Sequence, residues 1–146
     1  MVAIIAKLVL AVLLAPLSSA IAVGFVLLVG GALLNQEPFD VWTDFHLFAT
    51  YGLFVSYAFA FCIGVPTNLF LRAIEKNYVW AHTAIGAVVT LVLGFNFFGL
   101  GRAFATASTV SLIYSSLIVV SGITVSTVFG LLAGAKWTSA GLDHAT

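Results

Sequence analysis

The sequence from Gly64 to His82 reads GVPTNLFLRAIEKNYVWAH and forms the main polar break between two long apolar segments. It carries two of the five Lys and Arg residues, Arg72 and Lys76. We predict that an apolar helix meets Pro66 and ends near Arg72, and that a short charged turn follows before Trp80 opens the next helix. The side of a membrane on which this turn lies would therefore orient the whole chain.

The composition is that of a membrane protein. Hydrophobic residues make up 62% of the 146 residues and charged residues only 7%, against roughly 25% charged in soluble domains. The formal net charge is zero, so no basic surface for nucleic acid is indicated. A single cysteine, Cys62, excludes a disulfide framework within the chain, and we predict neither a metal nor a cofactor.

Four stretches have about the 20 apolar residues that a transmembrane helix needs. They cover residues 4–34, 45–71, 79–100 and 109–135. Because a bilayer offers the backbone no hydrogen-bond partner, they must be helices. The predicted fold is an all-α integral membrane bundle of four transmembrane helices with short loops, in a single domain over residues 1–146, with a kink at Pro16.

The basic residues predict the orientation. With the N-terminus in the cytoplasm, four of the five lie on the inner side and only Arg102 lies outside, as the positive-inside rule favours. Both termini are then cytoplasmic.

Small residues at helical i, i+4 spacing indicate close helix packing, because small side chains let helix backbones approach each other in a membrane. Every stretch has such a row, and the fourth has the longest one. The rows are Ala11, Ala15 and Ser19 with Ala20 and Gly24; Ser56, Ala60 and Gly64; Gly86, Thr90 and Gly94; and Gly122, Ser126, Gly130 and Gly134. They mark an interface within the bundle or with another chain.

The first external loop, residues 35–45, holds three of the five acidic residues and no basic one. Phe39, Trp42 and Phe45 are three residues apart and would share one face of a helical turn. With Arg102 they form a candidate contact site for a partner protein. The alternative is that these aromatic side chains only anchor the loop among lipid headgroups.

No charged residue lies near the centre of a predicted span, and such charges usually mark ion and proton pathways. His46 and His82 are predicted at opposite membrane surfaces, too far apart to bind one haem. We interpret each as an interfacial polar residue. No set of residues for catalysis is recognisable, so we expect a protein that is not an enzyme.

The pattern Gly64-Val65-Pro66-x-x-Leu69-x-Leu71-Arg72, followed by Trp80-x-His82 and Gly86-Ala87, resembles a hairpin of small bacterial four-helix inner-membrane proteins, most of them uncharacterised. The resemblance covers the second and third stretches and brings no catalytic residue with it. It implies a bacterial inner-membrane location.

Together these features predict a non-enzymatic membrane interaction protein whose partners are the lipid bilayer and other membrane chains, in a hetero-complex or a homo-oligomer. It would be an accessory subunit of a larger complex, or an immunity-type protein that blocks a membrane-active toxin. The alternative is a small oligomeric channel or transporter for a neutral or weakly polar solute. Co-purifying partners favour the first, whereas a homo-oligomer with solute flux favours the second.

Overall fold

A computed structural model describes residues 2–34, 41–97 and 109–137, and these residues are helical apart from the turns. The helices are α1 (Val2–Leu14), α2 (Leu17–Leu34), α3 (Val41–Phe59), α4 (Val65–Ala73), α5 (Val79–Phe97) and α6 (Thr109–Leu132), with a π-helical turn (Ala60–Gly64) between α3 and α4. Since α1 continues into α2 and α3 into α4, the described residues form four helical rods.

Each of the first two rods is interrupted at a proline. Between α1 and α2, the hydroxyl of Ser18 donates to the Ala15 carbonyl and that of Ser19 to the Pro16 carbonyl, both at 2.6 Å. In the second rod, Pro66 lies in the first turn of α4, directly after the π-helical turn. Proline lacks an N–H and cannot continue the regular ladder, so wider or broken turns at these positions follow from the sequence.

α4 and α6 end in the same way. The N–H of Lys76 donates to the Leu71 carbonyl at 2.8 Å, and that of Ala135 to the Gly130 carbonyl at 2.9 Å. These i to i−5 bonds are Schellman caps, which need a left-handed residue just before the donor. Glu75 (φ 59°) and Gly134 (φ 82°) are those residues. Gly134 therefore ends α6, and our placement of it within the helical row of the fourth stretch was wrong.

The segments after these two caps pair with each other. The N–H of Val79 donates to the Lys136 carbonyl and the N–H of Lys136 to the Asn77 carbonyl, both at 2.9 Å. This isolated parallel bridge brings the turn before α5 and the chain after α6 to the same end of the molecule.

α6 is the centre of the bundle and packs against α5, α2 and α1. One core cluster joins α1, the π-helical turn and α6 through buried side chains, with Phe129 the largest of them. Its members are Ala11, Ala15, Ala60, Val125, Phe129 and Ala133. A second cluster joins α2 and α6 through Val23, Leu27 and Leu117.

Within the part of the chain that the structure describes, three helical segments are long and apolar enough to cross a membrane: Val2–Gly30, Phe45–Ala73 and Val79–Asn96. A shorter apolar helix covers Ser116–Leu132 within α6. The all-helical architecture with spanning-length helices agrees with the predicted class of membrane protein.

Candidate functional site

The seam between α5 and α6 is closed by glycines. A Cβ atom on Gly86 would overlap the Ser126 side chain, and one on Gly122 would lie 2.7 Å from the Cγ2 atom of Thr90. A Cβ on Gly130 would lie 3.0 Å from that of His82. The predicted small-residue rows of these two helices are therefore used for contact inside this chain.

The other small-residue rows are also largely buried within the bundle. A Cβ on Gly64 would lie 3.1 Å from the Phe129 ring of α6, and one on Gly24 would lie 3.2 Å from the Phe45 ring of α3. Buried members of the remaining rows are Ala11, Ala15, Ser19, Ser56, Ala60, Thr90 and Gly94, whereas Ala20 is half-buried. Most members of these rows therefore contact other helices of this chain.

A crevice lies between α3 and α5, which are not among the closely packed helix pairs. It has a volume of about 210 Å³ and α6 forms its floor. Its lining includes Gly52 and Ser56 from α3, Thr90 and Leu93 from α5, and Ser121 from α6. An apolar cavity of about 150 Å³ is enough to bind benzene, so the crevice can take a group as large as an aromatic side chain. We call this cavity the lateral crevice.

Ser56 is the unusual residue of the lateral crevice. It is only 7% exposed, and its hydroxyl makes no hydrogen bond within the described residues. Every fully enclosed side-chain nitrogen or oxygen among those residues has a partner, so the Ser56 hydroxyl must face the open space of the crevice. An unpaired hydroxyl in an apolar site costs free energy, which an occupant with a hydrogen-bonding group would recover.

A much smaller cavity, of about 10 Å³, lies beside the π-helical turn and shares Phe59 and Val125 with the lateral crevice. Gly64, His82 and Gly86 are among its lining residues. A cavity of this size holds about one water molecule. The space between the second rod and α5 therefore narrows sharply beyond the lateral crevice.

A buried polar cluster lies at the other end of α5. Asn68 is fully buried, and its Oδ1 atom accepts from Nε of Arg72 at 2.8 Å. A second guanidinium nitrogen of Arg72 donates to the carbonyl of Ala133, just beyond the end of α6. His82 Nε2 and Asn68 Nδ2 lie 2.9 Å and 3.3 Å from the side-chain oxygen of Asn77. The cluster ties α4, α5 and the end of α6 together.

The hydrogen-bond pattern selects one tautomer for His82. With a proton on Nε2, both His82 and Asn68 donate to Oδ1 of Asn77, and Oδ1 of Asn68 is left to accept from Arg72. His82 is 3% exposed, so its side chain is buried inside the bundle, and its predicted position at a membrane surface stays a prediction. Burial of the His82 ring is possible because Asn68 and Asn77 surround its Nε2 atom with polar groups. His46, by contrast, is exposed near the start of α3.

The end of the molecule that contains this cluster is the basic end. Lys7 and Arg72 both approach Gly134, since a Cβ there would lie 3.3 Å from Nζ of Lys7 and 3.5 Å from a guanidinium nitrogen of Arg72. Lys76 and Lys136 lie on the two segments joined by the parallel bridge. Four basic residues from distant parts of the sequence thus meet at one end.

The predicted external contact site is only partly within the described residues. Phe39 and Arg102 lie outside them, and Trp42 lies in α3, where the backbone alone is described. Phe45 is half-buried and packs against the cluster of Val23, Leu27 and Leu117. Phe45 therefore serves packing within this chain.

The side chains that could bind a metal ion are not clustered in the part of the chain that the structure describes. Within the described ranges, no group of three His, Cys, Asp or Glu residues is placed to hold a metal ion. Cys62 is exposed on the π-helical turn and has a free thiol.

Sequence reasoning missed Asn68, Asn77, Gly52 and the role of Ser56. For the cluster a signal was present, because Asn68 and Arg72 are four residues apart on one helix and so share a face. For Gly52 and Ser56 no local signal existed, since the lateral crevice depends on how far α3 diverges from α5.

The described residues form a small, helical, strongly apolar bundle that includes three helices of membrane-spanning length. Comparison with protein-family models, with curated proteins and with solved structures finds no match to this chain. The resemblance of the second and third stretches to small bacterial inner-membrane proteins stays a prediction.

Proposed function

We propose that this protein is a non-enzymatic integral membrane protein of four spans that acts by binding another membrane chain. The lateral crevice is the observation that carries this proposal. The partner is an apolar transmembrane helix that places one bulky side chain, together with a hydrogen-bonding group, in the crevice. Such a protein would serve as an accessory subunit, or as an immunity-type protein if the partner is a membrane-active toxin.

Two properties of the lateral crevice support a helix as its occupant. The crevice is wide enough for an aromatic side chain, and a bulky side chain entering a hole is the usual way in which helices interlock. The unpaired Ser56 hydroxyl also calls for a polar group, which the hydrocarbon chain of a lipid lacks. Hydroxyls and amides commonly bond between helices in membranes. Tyr51 and Phe54, 68% and 77% exposed on α3, offer apolar surface beside the crevice for the rest of the partner helix.

Filling the lateral crevice tests the proposal. A Cβ on Gly52 would meet nothing within 4 Å, and Gly52 lines the crevice, so Gly52→Leu places a bulky side chain in that space. Ala58→Leu is the matched control, because Ala58 is exposed on the same helix and does not line the crevice. In native gels of membranes extracted with mild detergent, we expect the wild type and Ala58→Leu to migrate in a complex and Gly52→Leu to migrate alone. A complex that survives Gly52→Leu unchanged would refute the proposal.

The proposed location is the bacterial inner membrane, with both termini in the cytoplasm. The meeting of Lys7, Arg72, Lys76 and Lys136 at the basic end supports this orientation, because the cytoplasmic side carries the excess of basic residues. Reporter fusions after Thr146 and at Gln36 test it. A periplasmic signal from the fusion after Thr146 would show that the orientation is wrong.

The second candidate is a small oligomeric channel or transporter for a neutral solute. The hydroxyl-bearing residues Ser56, Thr90 and Ser121 in the lateral crevice favour it. The narrow cavity beyond the crevice weighs against it, since one water molecule nearly fills that space. Uptake of a small polyol into liposomes that contain the purified protein distinguishes the two functions. Flux above that of empty liposomes, from a homo-oligomer without another chain, would favour the channel.

The external surface remains a separate candidate for partner contact. Trp and Arg residues often carry much of the binding energy of an interface, which is the reason to examine Trp42 and Arg102. We expect Trp42→Ala and Arg102→Ala to weaken capture of the partner identified in the gel experiment if that surface contributes. Capture at the wild-type level by both folded variants would restrict the contact to the lateral crevice.

A further inference from the structure

Lys7 and Arg72 approach each other from opposite ends of the first two rods. Nζ of Lys7 lies 3.3 Å and a guanidinium nitrogen of Arg72 lies 3.5 Å from the Cβ position of Gly134. The two charged groups are therefore close neighbours. Neither has a carboxylate partner within the described residues. Glu75, the acidic residue in the neighbouring turn, is exposed and forms no ion pair there. Two adjacent like charges repel each other, and an anion between them would remove that repulsion.

Capping the end of α6 uses only some of the hydrogen-bond donors of Lys7 and Arg72. Arg72 donates one bond to Asn68 and one to the Ala133 carbonyl, but a guanidinium carries five N–H donors. Lys7 is exposed and makes no hydrogen bond within the described residues. Donors thus remain on both side chains after the carbonyl at the end of α6 has been satisfied.

The guanidinium of Arg72 is also held in place before any ligand arrives. Asn68 is fully buried, and its amide is oriented by Asn77, whose side-chain oxygen accepts from Nδ2. This leaves Oδ1 of Asn68 to fix Nε of Arg72. A fixed guanidinium recognises the oxygens of a phosphate group well, because its planar donors match their geometry.

The surroundings of this pair are those of a membrane surface. Trp80 and Trp137, at the same basic end, are 60% and 70% exposed, and exposed tryptophans at the end of a bundle are typical of the headgroup region. A ligand that reaches Lys7 and Arg72 would therefore come from the lipid headgroups. Basic pockets between helices on the cytoplasmic side are suited to such groups.

We propose that Lys7 and Arg72, beside the Gly134 turn, bind the phosphate group of one anionic phospholipid. The site is separate from the lateral crevice; it rests on the proposed membrane location but not on the proposed partner helix. Lys7 supplies a mobile cation, and Arg72 supplies the fixed donors. Asn68 is a positioning residue for Arg72.

Lipid retention by the purified protein tests this site. The protein in detergent is mixed with equal amounts of phosphatidylglycerol and phosphatidylcholine, and bound lipid is counted by native mass spectrometry. We expect one phosphatidylglycerol to be retained in preference. Lys7→Gln should weaken this retention about tenfold, the value of one charge-assisted hydrogen bond.

Lys76→Gln is the matched control, because it removes the same charge from the same end at an exposed position outside the site. It should leave retention nearly unchanged. Asn68→Asp should abolish the preference for phosphatidylglycerol while the protein stays folded, because the new carboxylate pairs with Arg72 in place of the lipid. Equal losses for Lys7→Gln and Lys76→Gln would overturn the proposal, since they would mean diffuse attraction only.

Competition with inorganic phosphate shows whether the bound phosphate group belongs to a lipid headgroup or to a soluble anion. Displacement of phosphatidylglycerol from the wild type by millimolar phosphate, but not by chloride at equal ionic strength, supports recognition of the phosphate group. Binding of inorganic phosphate without any preference for phosphatidylglycerol would overturn the lipid assignment and indicate a soluble anion instead.

Discussion

The two sides of α6 differ in how they use small residues. Toward α5, Gly86 and Gly122 have no room for a Cβ, because Ser126 and Thr90 fill the space. Toward α3, Gly52 of the facing helix has nothing within 4 Å of its Cβ position, and the lateral crevice remains open. A small residue therefore shows that close approach is permitted, and only the neighbouring helix decides whether the approach takes place inside the chain.

The largest expected change in stability is at the seam between α5 and α6. Gly130→Leu drives a side chain into His82, whose Cβ is already 3.0 Å from the position of the new Cβ, and should cost about 3 kcal/mol of stability. Val128→Leu, at a half-buried position two residues away, should cost about 1 kcal/mol or less. Melting temperatures in detergent measure both changes. Equal shifts would show that the α5–α6 seam is not closely packed.

The next effect concerns the polar cluster at the basic end of the seam. Asn68→Leu leaves Arg72 Nε without its acceptor and removes a partner of Asn77, and should cost about 2–3 kcal/mol. Asn96→Leu is the control, since Asn96 is exposed and bonds only the Val92 carbonyl of its own helix. It should change stability by less than about 0.5 kcal/mol. If chemical denaturation gives similar losses for both, the cluster does not hold the helices together.

A pair of alanine substitutions compares the two sides directly. Gly122→Ala should destabilise by about 2 kcal/mol, because the new methyl group overlaps Thr90. Gly52→Ala should stabilise by about 0.5–1 kcal/mol, because alanine favours the helix and nothing obstructs it. Shifts of opposite sign in thermal unfolding are the expected result. A loss of stability for Gly52→Ala would mean that the lateral crevice closes in the folded protein.

The smallest effects are expected at the two caps of the basic end. Glu75 (φ 59°) holds the left-handed position that Gly134 (φ 82°) holds in the other cap. Glu75→Gly should raise stability by about 1 kcal/mol and Gly134→Ala should lower it by a similar amount, because left-handed backbone is strained for residues with a Cβ. Unchanged melting temperatures for both variants would show that the caps are not formed.

The helical class of the fold could be predicted from apolar length alone, and the break at Pro66 from the chemistry of proline. Burial of Ala11, Ala15 and Gly86 follows from their spacing. The position of His82 could not be predicted, because its burial requires Asn68 and Asn77 from segments that meet only in the folded chain. The end of α6 at Gly134 could have been predicted, since a glycine followed by Lys136 after an apolar helix is typical of a helix end.

The lateral crevice lies beyond what the sequence can indicate. Gly52, Ser56 and Thr90 look like ordinary members of helix interfaces, and Thr90 does pack against Gly122. Whether Ser56 meets a neighbour depends on the angle between α3 and α5, which many weak contacts determine together. Local patterns carry no information about that angle.

Photo-crosslinking from inside the lateral crevice tests the central claim most directly. A diazirine amino acid close to leucine in size, which leaves the crevice open, replaces Leu93, which lines the crevice, or the neighbouring Val92, which is exposed on α5. In intact membranes, we predict that position 93 forms one protein adduct of defined mass, which Gly52→Leu removes, and that position 92 labels lipid only. Lipid adducts alone at both positions would contradict the account, because the crevice would then face only the bilayer.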